Sequence, residues 1–338
     1  MHMITLWLEF IACSAAILYS GTMLSKYGDV IAEKSGLGRM WIGVILMALV
    51  TSLPELINNV SSVTIAGVPD IALGDIMGSC VFNIFIIAVM DFMQGRGSIF
   101  RSADTGHELT AGFGIVLIGM VLFFKLAEGV FPALGTIGLY TPIIIILYFA
   151  AVRSTFRFEK KKAVARKETA VIRNYDHVST REGVVKYALN AAVIIAAATF
   201  LPFIGGSIAA QTGLGKTFVG ASFIALTTSL PELVVSAAAL RIGAADLAIG
   251  NIFGSNLFNI LIIAVGDIFY IKGPLLRDVS TNHVITGVIA VMMTAIAITG
   301  LTYRSKKKTA AGISWEAASL TVLFLTNLFV LYAMRGTG

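Results

Sequence analysis

A six-residue phrase, Thr-Ser-Leu-Pro-Glu-Leu, occurs twice in this sequence, at residues 51–56 and again at residues 228–233. Each copy places two hydroxyl groups and a carboxylate within a long apolar stretch. A carboxylate inside a membrane costs at least about 2.5 kcal/mol, and such a residue usually faces a cavity or an ion path. We therefore interpret Glu55 and Glu232 as the two halves of one cation-binding site.

The proline of each phrase supplies a second kind of ion ligand. Because proline has no amide proton, it leaves the carbonyl about four residues upstream without a helical hydrogen bond. For the two phrases these are the carbonyls of Val50 and Thr227, each one residue before the phrase begins. Both oxygens are available to a cation.

A second polar motif follows each phrase, at residues 74–83 and 250–259. Its polar side chains recur every four residues, so each set lies along one face of a helix. The sets are Asp75, Ser79 and Asn83, and Asn251, Ser255 and Asn259. Glycines with the same spacing allow neighbouring backbones to approach closely, but close packing does not explain the polar stripe.

All of these groups are hard oxygen donors. Two carboxylates, two asparagine amides and the neighbouring hydroxyls and carbonyls reach the six to eight oxygens that Ca²⁺ prefers, whereas Mg²⁺ gives up its water reluctantly. The sequence contains no cluster of histidine and cysteine that would indicate a softer metal. Na⁺ can share the same oxygens, and competition for shared ligands is what an antiporter needs.

The composition places the chain in a membrane. Of its 338 residues, 57% are hydrophobic and 13% are charged, and the mean hydropathy is +0.87, whereas a soluble domain carries about 25% charged residues. A spanning helix needs about 20 apolar residues. We predict an all-α polytopic membrane protein with ten transmembrane helices, at 4–27, 40–64, 70–92, 108–127, 132–152, 183–204, 217–240, 246–270, 282–303 and 313–334.

Basic residues predict the orientation in the membrane. The stretch from Arg153 to Arg181 is rich in Lys and Arg, and the positive-inside rule places it in the cytoplasm. Because five spans precede it, both termini are expected outside the cell membrane. Short basic loops explain the net charge of +6, so we expect a lipid bilayer and no nucleic acid as partner. We also expect a monomer without a cofactor, and free thiols at Cys13 and Cys80, which both fall within spans.

The two halves of the chain are repeats. Residues 36–56 match residues 213–233 at 12 of 21 positions, and residues 70–91 match residues 246–267 at 14 of 22. An odd number of spans, five, separates each element from its copy, so the copies cross the membrane in opposite directions. Inverted repeats of this kind place substrate near the midplane, between discontinuous helices, and permit alternating access.

The repeats divide the chain into three predicted parts. These are a first five-helix repeat at 1–152, a basic cytoplasmic loop at 153–182 and a second, inverted five-helix repeat at 183–338. Two further pairs of residues correspond between the repeats, His107 with His283 and Asp91 with Asp267. We interpret the histidines as packing or hydrogen-bonding groups near span ends rather than proton carriers, and the aspartates as helix-end caps.

At the two phrases, and at the Gly-Ser-x-x-x-Asn run that follows each, the sequence resembles the sodium/calcium exchangers of the cation/calcium antiporter superfamily, in particular their compact prokaryotic members. The resemblance covers nearly the whole chain. It implies ten helices with inverted topology around central Na⁺ and Ca²⁺ sites. Matched residue by residue, it implies a central set of Glu55, Asn83, Glu232 and Asn259. It further implies Na⁺ sites completed by Thr51, Ser52, Ser79, Thr228, Ser229, Ser255 and the carbonyls of Ala48 and Ala225.

The sequence departs from that family's usual pattern in three places, one of which is the pair Val50 and Thr227, where a small residue usually precedes each Thr-Ser pair. Asn259 stands where well-known exchangers carry a third carboxylate, and Asp75 stands where the family more often has asparagine. Asp75 and its repeat equivalent Asn251 are therefore candidate accessory ligands. These departures leave the stoichiometry and the coupling ion open, but not the location of the site.

The leading interpretation is a secondary antiporter that exchanges Ca²⁺ for Na⁺ by alternating access, with no covalent chemistry. The alternative within transport is an H⁺/Ca²⁺ exchanger, in which Glu55 and Glu232 carry the protons. An intramembrane enzyme that uses the two glutamates as an acid/base pair would need a polar cleft or a metal triad, and the sequence indicates neither. A passive cation channel would differ by flux that needs no counter-ion.

Overall fold

The computed structural model describes residues 3–34, 47–95, 97–166, 178–304, 312 and 314–335. The helices of the first half are α1 (Met3–Lys34), α2 (Met47–Thr51), α3 (Leu53–Ser61), a π-helical turn (Ser62–Ala66), α4 (Pro69–Met93), α5 (Ile99–Ser102), α6 (His107–Leu126) and α7 (Tyr140–Arg166). Those of the second half are α8 (Thr180–Thr212), α9 (Lys216–Val219), a π-helical turn (Gly220–Ile224), α10 (Ala225–Thr228), α11 (Leu230–Arg241), α12 (Ala245–Phe269), a 3₁₀ turn (Leu275–Asp278), α13 (His283–Tyr303) and α14 (Trp315–Ala333).

Eight of the described helices are long and apolar enough to cross a membrane, and the bent pair of residues 216–228 and 230–241 makes a ninth. This confirms a helical, multi-pass membrane protein. The predicted span at 40–64 is described only from residue 47, and there it is divided into α2 and α3. The count of ten spans therefore stays a prediction.

The region around the predicted fifth span differs from the sequence-based boundaries. Its first residues form a small antiparallel hairpin, in which β1 (Ala133–Leu134) pairs with β2 (Ile137–Gly138), and the helix starts only at Tyr140. The helix then continues past residue 152 to Arg166, into the stretch that we predicted to be a loop. Lys, Arg, Glu and Ala are good helix formers, so the helix persists beyond the apolar segment. Residues 167–177 of the predicted loop lie outside the described residues.

Helices α4 and α12 form the centre of the bundle. Of their most apolar 18-residue windows, 78% and 72% of the residues are buried, against 22% for α1. Glycine allows this packing: a Cβ added at Gly78 in α4 would lie 2.4 Å from the carbonyl oxygen of Ala221, in the π-helical turn before α10. At the repeat-equivalent Gly254 in α12, an added Cβ would lie 3.2 Å from Cβ of Ala48, in α2. The predicted role in close backbone packing is confirmed for Gly78, whereas the near neighbour of Gly254 is a side chain.

Two buried aspartates each form hydrogen bonds with both halves of the chain. Each lies near the carboxyl end of a central helix and accepts one backbone N–H from its own half and one from the other half. The donors are Ile99 (2.9 Å) and Ser314 (2.8 Å) for Asp91, and Leu275 (2.6 Å) and Gly138 (2.8 Å) for Asp267. Ile99, Leu275 and Ser314 stand at or just before the start of a helical segment, so the prediction of helix-end caps is confirmed.

The two histidines also pair across the halves. His283 Nε2 lies 3.0 Å from Asp70 Oδ1 in the first turn of α4, and His107 Nε2 lies 3.3 Å from Asp246 Oδ1 in the first turn of α12. Both rings therefore act as hydrogen-bonding groups near span ends, as interpreted from the sequence. Their partners are carboxylates of the opposite half rather than loop groups.

Candidate ion-binding site

Two helix breaks position the glutamates of the repeated phrases. At Ser52 and Ser229 the backbone leaves the helical region, with φ/ψ of −88°/14° and −91°/7°. A proline occupies the second position of each following helix, where its fixed φ suits the first turn and its missing amide proton costs little. Glu55 and Glu232 therefore fall in the first turns of α3 and α11, where the positive end of the helix dipole favours a carboxylate.

Each glutamate receives a hydrogen bond from the break in the other half. Ser52 Oγ donates to Glu232 Oε1 at 2.9 Å, and Ser229 Oγ donates to Glu55 Oε1 at 2.8 Å. Both glutamates are fully buried. Within the described part of the chain, neither Oε2 atom has a hydrogen-bond partner. Each carboxylate thus keeps one oxygen free for an ion.

A third buried carboxylate, Asp75, lies beside Glu55. Its Oδ2 accepts from Asn58 Nδ2 at 2.6 Å, and its Oδ1 accepts from Thr228 Oγ1 at 2.8 Å. Ser79 Oγ lies 3.5 Å from both Asp75 Oδ1 and Glu55 Oε1. The two carboxylates therefore lie near one hydroxyl group, whose oxygen is also 2.9 Å from Ser229 Oγ.

The hydroxyls and carbonyls of the helix breaks lie close together as well. Thr51 Oγ1 donates to the carbonyl of Ala48 at 3.2 Å and lies 3.4 Å from Ser255 Oγ. In the other half, Thr228 Oγ1 lies 3.3 Å from the carbonyl of Ala225. Both carbonyls also accept a backbone N–H, at 3.0 Å and 3.1 Å, and a carbonyl oxygen has two lone pairs.

Two asparagines complete the centre. Asn83 Nδ2 donates to Asn256 Oδ1 at 3.0 Å, and Asn256 Nδ2 donates to the carbonyl of Cys80 at 3.1 Å. These bonds orient the amide of Asn83 through its nitrogen, and its oxygen accepts no hydrogen bond from the described residues. Among the described residues, Asn83 Oδ1 and both polar atoms of Asn259 have no hydrogen-bond partner, although both residues are fully buried.

The site holds three buried carboxylates without a cationic side chain beside them among the described residues. Glu55, Asp75 and Glu232 are fully buried, and across the described ranges no Lys, Arg or His forms an ion pair with any of them. Buried carboxylates are costly unless they are paired or coordinate a metal. The same part of the chain holds no cluster of three or more His, Cys, Asp and Glu side chains, so the ligands on offer are mixed carboxylate, amide, hydroxyl and carbonyl oxygens.

Hydrogen bonds connect most of the residues singled out in the sequence. Within the described part of the chain, Asn259 makes no such bond, and the amide of Asn251 donates to Ser236 Oγ at 3.1 Å rather than to the other candidates. Sequence reasoning missed Asn58 and Asn256. The signal for Asn58 was its position three residues after Glu55, on the same helix face. The signal for Asn256 was weaker, because its repeat equivalent is Cys80.

Sequence comparison finds relatives over most of the chain. The sequence is 25% identical to the sodium/calcium exchanger MaX1 of Methanosarcina acetivorans, over 91% of this chain and 93% of the relative. It is also 25% identical to the inner membrane protein YrbG of Escherichia coli, over 73% of this chain and 74% of that protein.

The fold is shared with solved transporters. A structure of the sodium-calcium exchanger NCX_Mj superposes with a TM-score of 0.62 at 20% identity, over 96% of this chain and 98% of that one. The H⁺/Ca²⁺ exchanger CAX superposes with a TM-score of 0.69 at 14% identity, over 98% of this chain and 85% of that one. The family described as sodium/calcium exchanger protein matches residues 5–153 and 183–335. By this match across both halves, the chain belongs to the sodium/calcium exchanger protein family.

Proposed function

We propose that this protein is a secondary active antiporter that exchanges Ca²⁺ for Na⁺ across the cytoplasmic membrane by alternating access. The observation that carries the proposal is the set of three buried carboxylates without a cationic partner among the described residues, surrounded by oxygens from both halves. Family membership and the relative MaX1 support the choice of ions. No covalent chemistry is part of the proposal.

The proposed Ca²⁺ position lies between the two glutamates. Its ligands would be Glu55, Glu232, Asn83 and Asn259, each of which has a buried oxygen without a hydrogen-bond partner among the described residues. Together with nearby hydroxyls and carbonyls they reach the six to eight oxygens that Ca²⁺ prefers. Two carboxylates also balance the charge of one divalent ion.

The proposed Na⁺ positions flank the Ca²⁺ position. Their ligands would come from both helix breaks and from the central helices, namely Thr51, Ser52, Ser79, Thr228, Ser229, Ser255 and the carbonyls of Ala48 and Ala225, with Asp75 as an accessory group. Because Glu55 and Glu232 would contribute to both kinds of site, Na⁺ and Ca²⁺ would compete. Competition couples the two fluxes.

The repeats would provide the alternating access. We divide the chain into the halves 1–152 and 183–338, joined by the basic segment 153–182, with that segment in the cytoplasm and both termini outside. The bonds of Ser52 with Glu232 and of Ser229 with Glu55 support an ion position where the halves meet. We propose that a monomer performs the cycle.

H⁺/Ca²⁺ exchange is the second candidate. The free Oε2 atoms of Glu55 and Glu232 favour it, because a carboxylate without a partner can be neutralised by a proton as well as by a metal ion. The shared fold with the exchanger CAX is consistent with either coupling ion.

Transport in proteoliposomes tests the proposal. Vesicles loaded with Na⁺ should accumulate radiolabelled Ca²⁺ when diluted into Na⁺-free medium, and vesicles with only a pH gradient should not. Uptake driven by the pH gradient alone would identify H⁺, rather than Na⁺, as the coupling ion. Uptake that needs no counter-ion gradient and does not exceed equilibrium would show a passive channel and overturn antiport.

A further inference from the structure

A hydrogen bond joins helix α1 to the residue that precedes the second repeated phrase. Thr227 Oγ1 lies 3.0 Å from Ser14 Oγ. Ser14 Oγ also donates to the carbonyl of Phe10 at 2.8 Å, and because a hydroxyl group has a single proton, Thr227 is the donor in the pair. Thr227 is buried, with 1% of its surface exposed, and Ser14 is half-buried. The bond holds α1 against the second helix break.

The repeat-equivalent contact in the other half is apolar. With the offset of 177 residues that relates the two phrases, Ala191 in α8 corresponds to Ser14, and Val50 in α2 corresponds to Thr227. Val50 is also 1% exposed, and Ala191 packs against the small apolar cluster that contains Val50. The two contacts occupy equivalent places in the fold. One is made by two hydroxyl groups and the other by methyl groups.

The two contacts lie on opposite sides of the proposed ion position. Asp70 and Lys216 line one pocket, so the start of α4, just after α3 has ended, lies beside the start of α9. Helices α2 and α3 therefore run towards this end of the molecule, which we call the Lys216 end, while α9, α10 and α11 run away from it. Both Thr227 and Val50 come before a helix break. Thr227 thus lies on the Lys216 side of the breaks and Val50 on the opposite side.

The hydroxyl pair resists separation more than the methyl contact does. A hydrogen bond is lost once its two oxygens are more than about 3.5 Å apart. Separation would leave the buried hydroxyl of Thr227 without its partner, which is unfavourable. Apolar contacts have no preferred direction and tolerate sliding. A movement that separates α1 from the second break therefore costs more than the equivalent movement of α8 from the first break.

We propose that the Ser14–Thr227 hydrogen bond is a lock that keeps the ion site closed towards the Lys216 end, which is the outer side in the proposed topology. The opposite side, where Ala191 packs near Val50, has no such bond and opens more readily. Ser14 is then a positioning residue, which acts on the ion site through Thr227. The inference rests on the proposed exchange by alternating access and adds to it an unequal population of the two open states.

Ca²⁺ uptake into sealed membrane vesicles of both orientations tests the lock. The apparent affinity at one face falls with the fraction of chains that are open to that face. The wild type should therefore need more Ca²⁺ for half-saturation at the Lys216 face than at the opposite face. Ser14→Ala and Thr227→Val should each lower this ratio about fivefold, as expected for the loss of one hydrogen bond.

Conservative and combined variants separate the lock from a general packing role. Ser14→Thr and Thr227→Ser keep the hydroxyl groups and should keep the ratio of the wild type. The double variant Ser14→Ala/Thr227→Val should lower the ratio no further than either single variant, because both remove the same bond. An unchanged ratio in Ser14→Ala, or an equal change in Ser14→Thr, would overturn the lock.

The repeat offers a matched gain of function. Ala191→Ser/Val50→Thr places a hydroxyl pair at the apolar contact and should also lower the ratio. Together with Ser14→Ala/Thr227→Val, it should invert the ratio, so that the opposite face needs more Ca²⁺. A ratio that these transplants leave unchanged would contradict the proposal.

Hydrogen–deuterium exchange of the purified full-length protein gives a measurement that needs no transport. Backbone amides of residues 216–228 should exchange faster in Ser14→Ala than in the wild type, whereas those of residues 47–51 should not change. Equal rates at residues 216–228 would overturn the lock. Vesicles without Na⁺-driven Ca²⁺ uptake would overturn the proposed function, and vesicles that exchange the ions with the same ratio in every variant would overturn only the lock.

Discussion

The two halves of the molecule agree in the groups that exchange partners and differ in the group beside the first glutamate. Ser52 and Ser229 each donate to the glutamate of the opposite half, at 2.9 Å and 2.8 Å. Asp75, in contrast, has an asparagine as its repeat equivalent. The matched bonds suit alternating access, in which the two halves exchange conformations. The unmatched Asp75 places an additional carboxylate on one side of the site. Symmetry therefore accounts for where we propose that the ion binds, and the departure from symmetry for the extra carboxylate on one side of that position.

The largest expected effect concerns the two glutamates, which correspond between the halves. Glu55→Gln and Glu232→Gln should each lower Ca²⁺ uptake into proteoliposomes by a factor of about 10² to 10³, because removing one partner of a buried charge pair costs about 3–5 kcal/mol. The two variants should be equally impaired while still inserting into membranes and eluting as folded protein.

The matched control for these variants is Glu108→Gln, because the carboxylate of Glu108 contacts Thr302 at 3.0 Å rather than the site. Uptake by Glu108→Gln should remain near that of the wild type. Near-normal uptake by either Glu55→Gln or Glu232→Gln would break the comparison, since one glutamate would then suffice.

A second pair of variants tests whether the aspartates of the central helices hold the halves together. Asp91→Asn and Asp267→Asn should each lower the free energy of unfolding by about 2–4 kcal/mol, because an amide has a single acceptor oxygen and leaves buried N–H groups unpaired. Thermal unfolding in detergent, followed by tryptophan fluorescence, measures this. Asp278→Asn, at a partly exposed position, should change the midpoint little. Unchanged midpoints for the first two variants would show that the exchanged caps do not stabilise the fold.

A smaller effect is expected at Asn256 and Cys80, which are repeat equivalents with different side chains. Asn256→Ala should weaken the apparent Ca²⁺ affinity by about tenfold, because it removes the acceptor that orients the amide of Asn83. Cys80 contributes its carbonyl to the same chain of bonds, so Cys80→Ala should stay within about threefold of the wild type. Concentration dependence of Ca²⁺ uptake distinguishes them. Equal effects would mean that Asn256 acts only by filling space.

The smallest effect concerns the two histidine–aspartate pairs. The side chain of His283 is 2% exposed and that of its partner 27%, whereas the side chains of His107 and Asp246 are 14% and 56% exposed. His283→Gln should cost about 1–2 kcal/mol of stability and His107→Gln less than about 1 kcal/mol, because exposed pairs contribute little. Chemical unfolding of both variants checks the order. A larger loss of stability for His107→Gln than for His283→Gln would contradict this ranking of the two pairs.

The repeated phrases made the glutamates and hydroxyls of the site predictable from the sequence. Glu55 and Glu232 stand out because a membrane segment excludes carboxylates that have no role. The exchange of partners between Ser52 and Glu232 could not be predicted, since it depends on how the halves cross and not on any local pattern. The role of Asn256 was hidden for a related reason, as its importance comes from contact with Asn83 on the other central helix.

The fold was predictable where hydropathy is strong and less so at the ends of segments. The central helices α4 and α12 lie within a residue or two of the predicted spans at 70–92 and 246–270. The start of α7 at Tyr140 was missed, because the apolar residues before it form a hairpin instead. Its extension to Arg166 was missed as well, because a hydropathy pattern reports the membrane and not the end of a helix.

The hydrogen bond from the Ser314 amide to Asp91 can form only late in the synthesis of the chain. The two residues are 223 positions apart, so at about 5–20 residues per second the first half waits roughly 10 to 50 s for this backbone donor. Gly138 waits in the same way for Asp267. A nascent first half therefore lacks this bond until the second half has been made, and a chain cut short before Ser314 never forms it.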